Sequence, residues 1–143
     1  MEAIDISLSG LNVEWQRLQV IAQNIANIQT SRTATGEAYR ARRLVSGPVA
    51  DFKQIMTRQT ERALNPREVM VYDIAQMNGG SRLVYDPSHP HADPSGNVHY
   101  PSISQADEMT LMVKASRAYE ANLVALAAAQ QMYSNALQIG RSA

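Results

Sequence analysis

The chain has 143 residues, with thirteen lysines and arginines against thirteen aspartates and glutamates, and no cysteine. A balanced charge excludes the strong overall field that attracts nucleic acid or an anionic membrane. The missing cysteines exclude disulfides, thiolate metal sites and cysteine nucleophiles. This length predicts one domain, or a small domain with long appendages.

The amino-terminal stretch has none of the features of a secretory signal. It carries no basic region, no continuous apolar core and no small-residue cleavage site. No window approaches the roughly 18–20 apolar residues that span a bilayer. We therefore expect a chain without a membrane span, which would leave the cytoplasm only by a route without a cleaved signal peptide.

The first predicted element is a long helix with a heptad seam. Apolar residues recur in alternating steps of four and three, which is the pattern of a coiled-coil face. The seam consists of Ile4, Leu8, Leu11, Trp15, Leu18, Ala22 and Ile25. Gly10 weakens this helix by about 1 kcal/mol relative to alanine, or allows close approach of another chain.

The middle of the chain, residues 31–103, contains all six prolines and predicts a small β-rich insertion. The basic run Tyr39–Arg43 leads into an extended segment, and residues 68–77 predict a strand. The sequence Asn-Gly-Gly at 78–80 favours a tight hairpin turn to a partner strand that starts at Ser81. Residues 50–64 fit either a short helix or a strand.

The basic run also raises the question of nucleic acid. It has no interleaved stacking aromatics and no recognisable nucleic-acid fold around it. We therefore favour a solvated or salt-bridging surface for Tyr39–Arg43, and no nucleic-acid partner.

All three histidines lie in the stretch DPSHPHADPSGNVHY, residues 86–100. With a carboxylate from Asp86 or Asp93, they would suit Zn²⁺ or Ni²⁺, so the weak candidate metal ligands are His89, His91 and His99. Prolines and a glycine surround them, however, and aspartate side chains close turns on their own backbone. We favour a proline-stiffened connector loop, without a metal, between the hairpin and the C-terminal helix. The residues expected to matter in the connector are Asp86, Pro87, Pro90, Asp93 and Gly96.

The last predicted element is a second heptad helix, capped by Ser104 with acids Asp107 and Glu108 in its first turn. Gly140 followed by Arg141 predicts its end. Its seam consists of Met109, Met112, Ser116, Tyr119, Leu123, Leu126, Gln130, Tyr133 and Leu137.

The predicted fold class is mainly α, with the two heptad helices paired as a coiled-coil hairpin and a small β-rich segment inserted between them. The three predicted segments are an N-terminal helix (2–30), an insertion (31–103) and a C-terminal helix (104–141). Polar seam residues such as Ser116 and Gln130, and the alanines of 125–129, indicate that the paired helices keep surface for other copies.

Catalysis has no support in the sequence. There is no glycine-rich phosphate loop before a helix, no G-x-S-x-G and no H-E-x-x-H. No nucleophile, base and orienting group can be named together. We predict a protein that is not an enzyme and binds no cofactor.

Two motifs resemble the flagellar axial proteins, the family of rod, hook and hook-associated subunits. The stretch SGLNVEWQRLQVIAQNIANIQT is similar to their N-terminal signature, with the match at Ser9–Leu11, Asn24–Asn27 and Thr30. The stretches RLVYDPSHPHADPSGNVHYP and EMTLMVKASRAYEANLVALAAAQQM resemble the proximal-rod branch. In that branch position 91 is more usually acidic, which makes His91 a variation and not a ligand.

The resemblance implies a structural subunit of the bacterial flagellar basal body, exported unfolded by the flagellar type III apparatus into the periplasm. Its implied partners are other rod and basal-body axial proteins, copies of itself and the export apparatus. Together they would form a helical tube that transmits motor torque to the hook. The seams, incompletely buried in one chain, would order fully only on assembly.

In such a tube the terminal helices pack against those of neighbouring subunits. The predicted subunit-packing residues are Leu8, Leu11, Trp15, Leu18, Asn24, Ile25, Asn27, Met112, Tyr119, Asn122, Leu123, Leu126, Tyr133 and Leu137. Among them Asn24, Asn27 and Asn122 are expected to be hydrogen-bonded at helix junctions.

The residues alone leave two other hypotheses about the function open. A helical-hairpin adaptor would bind a partner protein through its middle segment, and a metal-binding module would use the histidine cluster.

Overall fold

A computed structural model describes residues 2–48 and 68–141 of the chain. The elements in order are α1 (Glu2–Ala26), β1 (Arg42–Pro48), β2 (Val69–Gln76), β3 (Ser81–Tyr85), β4 (Asn97–Pro101) and α2 (Gln105–Arg141). Two long helices with two small antiparallel sheets between them confirm the mainly α class with a small β-rich insertion. The segment 50–64, predicted as helix or strand, lies outside the described residues.

The two helices lie side by side and run in opposite directions. Gly10 of α1 packs against Asn122, and the ring of Trp15 lies 6.4 Å from that of Tyr119. Near the end of α1, Asn24 bonds Glu108 at the start of α2. Because positions rise along α1 as they fall along α2, the helices are antiparallel.

Helix α2 is much longer than its partner. At 1.5 Å per residue, 25 residues give α1 a length of about 37 Å and 37 residues give α2 about 55 Å. Ala129 is the last buried residue of α2, and all residues from 130 to 140 are exposed. The C-terminal third of α2 therefore extends beyond the start of α1.

The start of α2 is capped as the sequence predicts. The Ser104 hydroxyl accepts a hydrogen bond from the Asp107 amide at 3.3 Å, and the Ser104 carbonyl accepts one from the Glu108 amide at 3.1 Å. This cap fixes the first turn of α2, and with it the position of Glu108.

Helix α1 buries a face that is rotated away from its heptad seam. Its buried residues are Ser7, Val13, Val20, Ile21 and Asn24. Val13 and Val20 pack with Leu44 of β1, and Val69 and Val71 of β2 cover this cluster. The sheet and α2 both contact this inner face, and the seam lies at its edge. Leu8, Trp15 and Ala22 are exposed, and Ile4, Leu11, Leu18 and Ile25 are half-buried.

The strands pair differently from the prediction. Strand β2 pairs with β1, with Leu44 opposite Ile74, and β3 pairs with β4, with Val84 opposite Val98. The predicted hairpin through residues 78–80 is therefore wrong, because β2 and β3 belong to separate sheets.

The physical reason lies in both the turn and the core. A type I′ turn needs left-handed φ values, and neither Gly79 nor Gly80 adopts one. When β2 pairs with β1, the buried Leu44 of β1 packs against α1. When β3 pairs with β4, the fully buried Val98 of β4 lies opposite Val84 of β3. The residues at 78–80 instead link the two sheets.

The histidine-containing loop, residues 86–96, closes the β3–β4 hairpin. The Asp86 amide donates to the Gly96 carbonyl at 2.9 Å, and β4 then leads to α2 through residues 102–104. The predicted connector between a strand and the helix is thus the closed end of a hairpin, and β4 makes the return to α2.

Neither described helix is both long enough and apolar enough to cross a membrane.

Candidate interaction site

A cluster of polar side chains, buried at its centre, joins α1, β1 and α2, and we call Asn24, Tyr39, Arg43 and Glu108 the polar node. Asn24 is 0% exposed. Its Nδ2 donates to the Arg42 carbonyl at 2.9 Å and to Glu108 Oε2 at 3.1 Å. Its Oδ1 accepts from the Arg42 amide at 2.9 Å and from the Tyr39 hydroxyl at 3.0 Å. All four hydrogen-bonding positions of the amide are used, which fixes α1 in one rotation against β1.

The carboxylate of Glu108 is 2% exposed and forms the charged centre of the node. Arg43 Nη1 donates to Oε2 at 3.1 Å, and Arg43 Nη2 donates to Oε1. This bidentate pairing is the strong form of an arginine–carboxylate interaction. The pair links residues 65 positions apart, so it specifies tertiary structure and not the local helix.

Tyr39 closes the node from the loop that follows α1. Burial raises the pKa of its hydroxyl above 10.0, the Arg42 charge opposes this, and the Glu108 charge adds to it. The phenol therefore stays protonated through the neutral range and remains a donor to Asn24.

Other asparagines of the predicted set lie near the helix contacts. Asn27 Nδ2 donates to the Gln23 carbonyl at 2.8 Å, and Asn27 Oδ1 accepts from Thr30 at 3.1 Å, just after α1 ends. Asn122 covers Gly10, where an added Cβ would lie 2.9 Å from its Nδ2. A hydrogen bond from Asn122 stays a prediction.

The second feature is an apolar surface beside the helix contact, which we call the open face. Trp15 is 54% exposed although its ring contacts Tyr119, and Leu8 and Leu123 are 49% and 50% exposed. On α1, spacing of three or four residues places Leu8, Leu11, Trp15 and Leu18 side by side, and on α2 the same spacing places Tyr119 beside Leu123. The open face consists of Leu8, Leu11, Trp15, Leu18, Tyr119 and Leu123. Leu8, Trp15 and Leu123 are exposed and the other three are half-buried. A partly exposed apolar surface of this kind indicates an interaction site.

The projecting end of α2 adds to this surface. Tyr133 and Leu137, both predicted packing residues, are exposed there, as are Met132 and Ile139. The half-buried residues of the predicted packing set are Leu11, Leu18, Ile25, Asn27, Met112, Tyr119, Asn122 and Leu126.

The histidines do not converge. His91 Nδ1 lies 2.9 Å from the Ser31 hydroxyl, and His99 Nδ1 lies 2.9 Å from that of Ser81. His89 packs edge-on against His91 and Tyr100, with ring centroids 5.2 and 6.2 Å apart. Within residues 2–48 and 68–141, no three histidine, aspartate or glutamate side chains form a group that could hold a metal ion.

The two aspartates of the loop instead close turns. Asp86 Oδ1 accepts from the Ser88 hydroxyl at 2.7 Å and from the Ser88 amide at 3.1 Å. The bond from the Ser88 hydroxyl is the main reason why the pKa of Asp86 lies below its usual range. Asp93 Oδ1 accepts from the amides of Ser95 and Asn97 at 2.8 and 2.9 Å. Both carboxylates serve the loop conformation.

Gly96 is the position in this loop where side-chain size matters most. Its φ is +78°, and an added Cβ would lie 3.0 Å from Tyr85 Cε2 and 3.1 Å from Pro87 Cγ. We expect Gly96→Val to destabilise the protein by about 1–3 kcal/mol, because a β-branched residue is strained at positive φ. Urea denaturation of the purified chain measures this loss.

Two controls accompany that measurement. Gly79→Val adds the same side chain where no atom lies within 4 Å and φ is not positive, so little loss is expected. The double variant His89→Ala/His91→Ala should also lose less than Gly96→Val. Equal losses in all three proteins would show that the histidines matter as much as the glycine.

A cleft of about 610 Å³ opens between the loop after α1, the link between the sheets and β4. It is lined by Ser31, Arg32, Gly36, Glu37, Ala38, Tyr39, Arg40, Asn78, Gly79, Gly80, Ser81, His91, His99 and Pro101. Glu37 is the one carboxylate among these described residues, and it bonds Arg40 at 2.9 Å. No paired acid and base, and no activated nucleophile, can be assembled from this lining.

Sequence reasoning missed the node except for Asn24. From the sequence alone, Glu108 is interpreted as an ordinary acid in the first turn of a helix, and Arg43 is interpreted as one member of a basic run. Tyr39 and Glu108 bond the same asparagine although they are far apart in the chain. No local spacing signals such a contact, and only the Asn-Ile-Ala-Asn motif marked its centre.

The chain is similar to known proteins over nearly its whole length. Residues 95–139 match the family model described as flagellar basal body rod FlgEFG protein C-terminal. The flagellar basal-body rod protein FlgC of Borreliella burgdorferi is 32% identical, over 96% of this chain and 95% of the relative. FlgC of Bacillus subtilis is 34% identical over 97% of both chains, and FlgC of Aquifex aeolicus is 34% identical over 92% and 90%.

Proposed function

The chain belongs to the FlgC family of flagellar basal-body rod proteins, and from that premise we propose that it builds the rod by packing its open face against neighbouring axial subunits. The family establishes a structural subunit of the basal-body rod. The proposal adds which surface assembles and how.

The partly exposed heptad seam of α1 is the observation that carries this proposal. A coiled-coil seam is selected to meet another helix, yet Leu8 and Trp15 remain about half exposed beside α2. An unburied seam on a rod subunit has a natural occupant, which is a terminal helix of the next axial subunit. The coiled-coil pairing predicted within one chain thus becomes a pairing between chains.

The shape of the helix pair supports the same mode of assembly. The exposed end of α2 extends beyond α1, so this end and the open face occupy different parts of the surface. Contacts between two different surfaces are heterologous, and when they do not close into a ring they generate a helical filament. The tube formed in this way would transmit motor torque to the hook.

The three segments then have separate roles. Residues 2–30 and 104–141 form the helical layer of the tube, and residues 31–103 face outward or contact adjacent subunits. In this role the chain would act without catalysis and without a cofactor.

Delivery to the rod is part of the proposal. The flagellar type III export apparatus would carry the chain in unfolded form to the periplasm. The absence of cysteine suits this route, since no thiol could be oxidised there.

Removal of the gene from its native bacterium tests this function. We expect non-motile cells whose purified basal bodies lack a complete rod in electron micrographs, with motility restored by a plasmid copy. An epitope-tagged copy that restores motility should be found in the rod fraction. Complete rods in the deletion strain would contradict the proposed function.

A further inference from the structure

Each helix offers two faces that could meet its partner. The heptad seams present large apolar side chains, such as Trp15 on α1 and Leu123 on α2. The positions buried or half-buried between the helices are small or polar, including Gly10 on α1 and Ala115 and Asn122 on α2, and the two seams meet at their edge, where Trp15 lies beside Tyr119. Burial of apolar area between the helices favours the seams. The observed rotation of α1 is held by two other contacts, the packing of Val13 and Val20 on Leu44 and the polar node.

The polar node occupies one end of the observed pairing and depends on its rotation. Asn24 reaches both the amide and the carbonyl of Arg42, at 2.9 Å each, and also Glu108. One residue of a helix corresponds to about 100°. A rotation of α1 that turned the seam towards α2 would withdraw Asn24 from β1 and leave the Glu108 carboxylate without this donor.

Close packing at the other end of the helices is consistent with this arrangement but does not impose it. Gly10 lets α1 approach Asn122 closely, yet an asparagine side chain is flexible and can move. The node, by contrast, has buried groups that must keep their partners.

We propose that the polar node is a rotational lock, which keeps the heptad seams of α1 and α2 from pairing with each other within one chain. Without the node, α1 turns and the chain closes on its own seams, which hides the open face. This inference rests on the proposed function, because a closed chain matters only if the open face is the assembly surface. Buried polar groups are known to set helix register in this manner.

Trp15 provides a direct reporter, since it is the only tryptophan of the chain and lies on the open face. The test uses the full-length double variant Asn24→Leu/Glu108→Met, which replaces the two buried polar side chains of the node by apolar groups of similar size and leaves Tyr39 and Arg43 in place. We expect helical content to persist, tryptophan emission to shift to shorter wavelength and quenching by acrylamide to be lost. The matched control is Gln23→Leu, which adds the same side chain at an exposed neighbouring position and should leave Trp15 as accessible as in the wild type.

Two outcomes would overturn the lock. Quenching of Trp15 as in the wild type, in a variant that is still helical, would show that the node does not set the rotation. Loss of the helical circular dichroism signal would also overturn it, because the proposal requires the seams to hold the helices together without the node. Assembly is not part of this readout, so failure here leaves the role of the open face in the rod untouched.

Discussion

Replacing Leu123 with aspartate is expected to abolish rod assembly while leaving the chain folded and exported. Leu123 is 50% exposed in the single chain, so the charge stays in water there and costs little. In the proposed interface the same position is covered by a neighbouring subunit. The rod then loses about 1.5–3 kcal/mol of leucine burial per contact and gains the larger penalty of a buried, unpaired charge.

Three measurements separate these effects. Urea denaturation should show wild-type stability within about 0.5 kcal/mol, as for other surface changes. Immunoblots of the periplasmic fraction should still detect the exported chain, and electron micrographs of basal bodies should show no rod. The matched control is Thr110→Asp, which makes the same change of charge at an exposed position on another side of α2 and should permit assembly. Rods built from the Leu123→Asp chain would contradict the assignment of the open face.

The second large effect is on stability and comes from the polar node. Glu108→Ala should lower the free energy of unfolding by about 3 kcal/mol, because removing one partner of a buried ion pair leaves the others without compensation. Arg43 is one-third exposed and reaches water more readily than a fully buried cation, which places the loss at the lower end of the usual range. Asn24 loses one of its four hydrogen bonds at the same time.

Chemical denaturation followed by circular dichroism checks this value. The matched control is Glu120→Ala, which removes an exposed glutamate from the same helix and should change stability by no more than about 0.5 kcal/mol. A loss for Glu108→Ala as small as that of the control would mean that the node does not stabilise the fold.

The sequence predicts the elements of this fold better than their contacts. The terminal helices, the Ser104 cap and strand β2 follow from heptad spacing, capping chemistry and β-branched composition, all of which act over a few residues. Strand pairing does not follow from such local signals, because the Asn-Gly-Gly sequence at 78–80 indicates only that a tight turn is possible there. The pairing of β2 with β1 is decided by the burial of Leu44 against α1, a contact between distant parts of the chain.

The same limit applies to the candidate site. The heptad spacing identifies Leu8, Trp15 and Leu123 as side chains that require a partner, but it cannot say whether the partner lies within the chain. That depends on the rotation of α1, which the node sets through Glu108 and the backbone of Arg42. The histidine cluster shows the opposite case. Closeness in sequence raised a metal site only as a weak alternative to a loop without a metal, and in the structure His91 and His99 lie beside different serines.

The most direct test of the account is the accessibility of position 123 before and after assembly. The chain has no cysteine, so Leu123→Cys introduces a single thiol whose alkylation rate can be measured in the free chain, in the denatured chain and in purified basal bodies. The account predicts a rate in the free chain close to that of the denatured chain, and strong protection in the rod. Equal alkylation rates in the free chain and in the rod would contradict it, because the open face would then remain open after assembly.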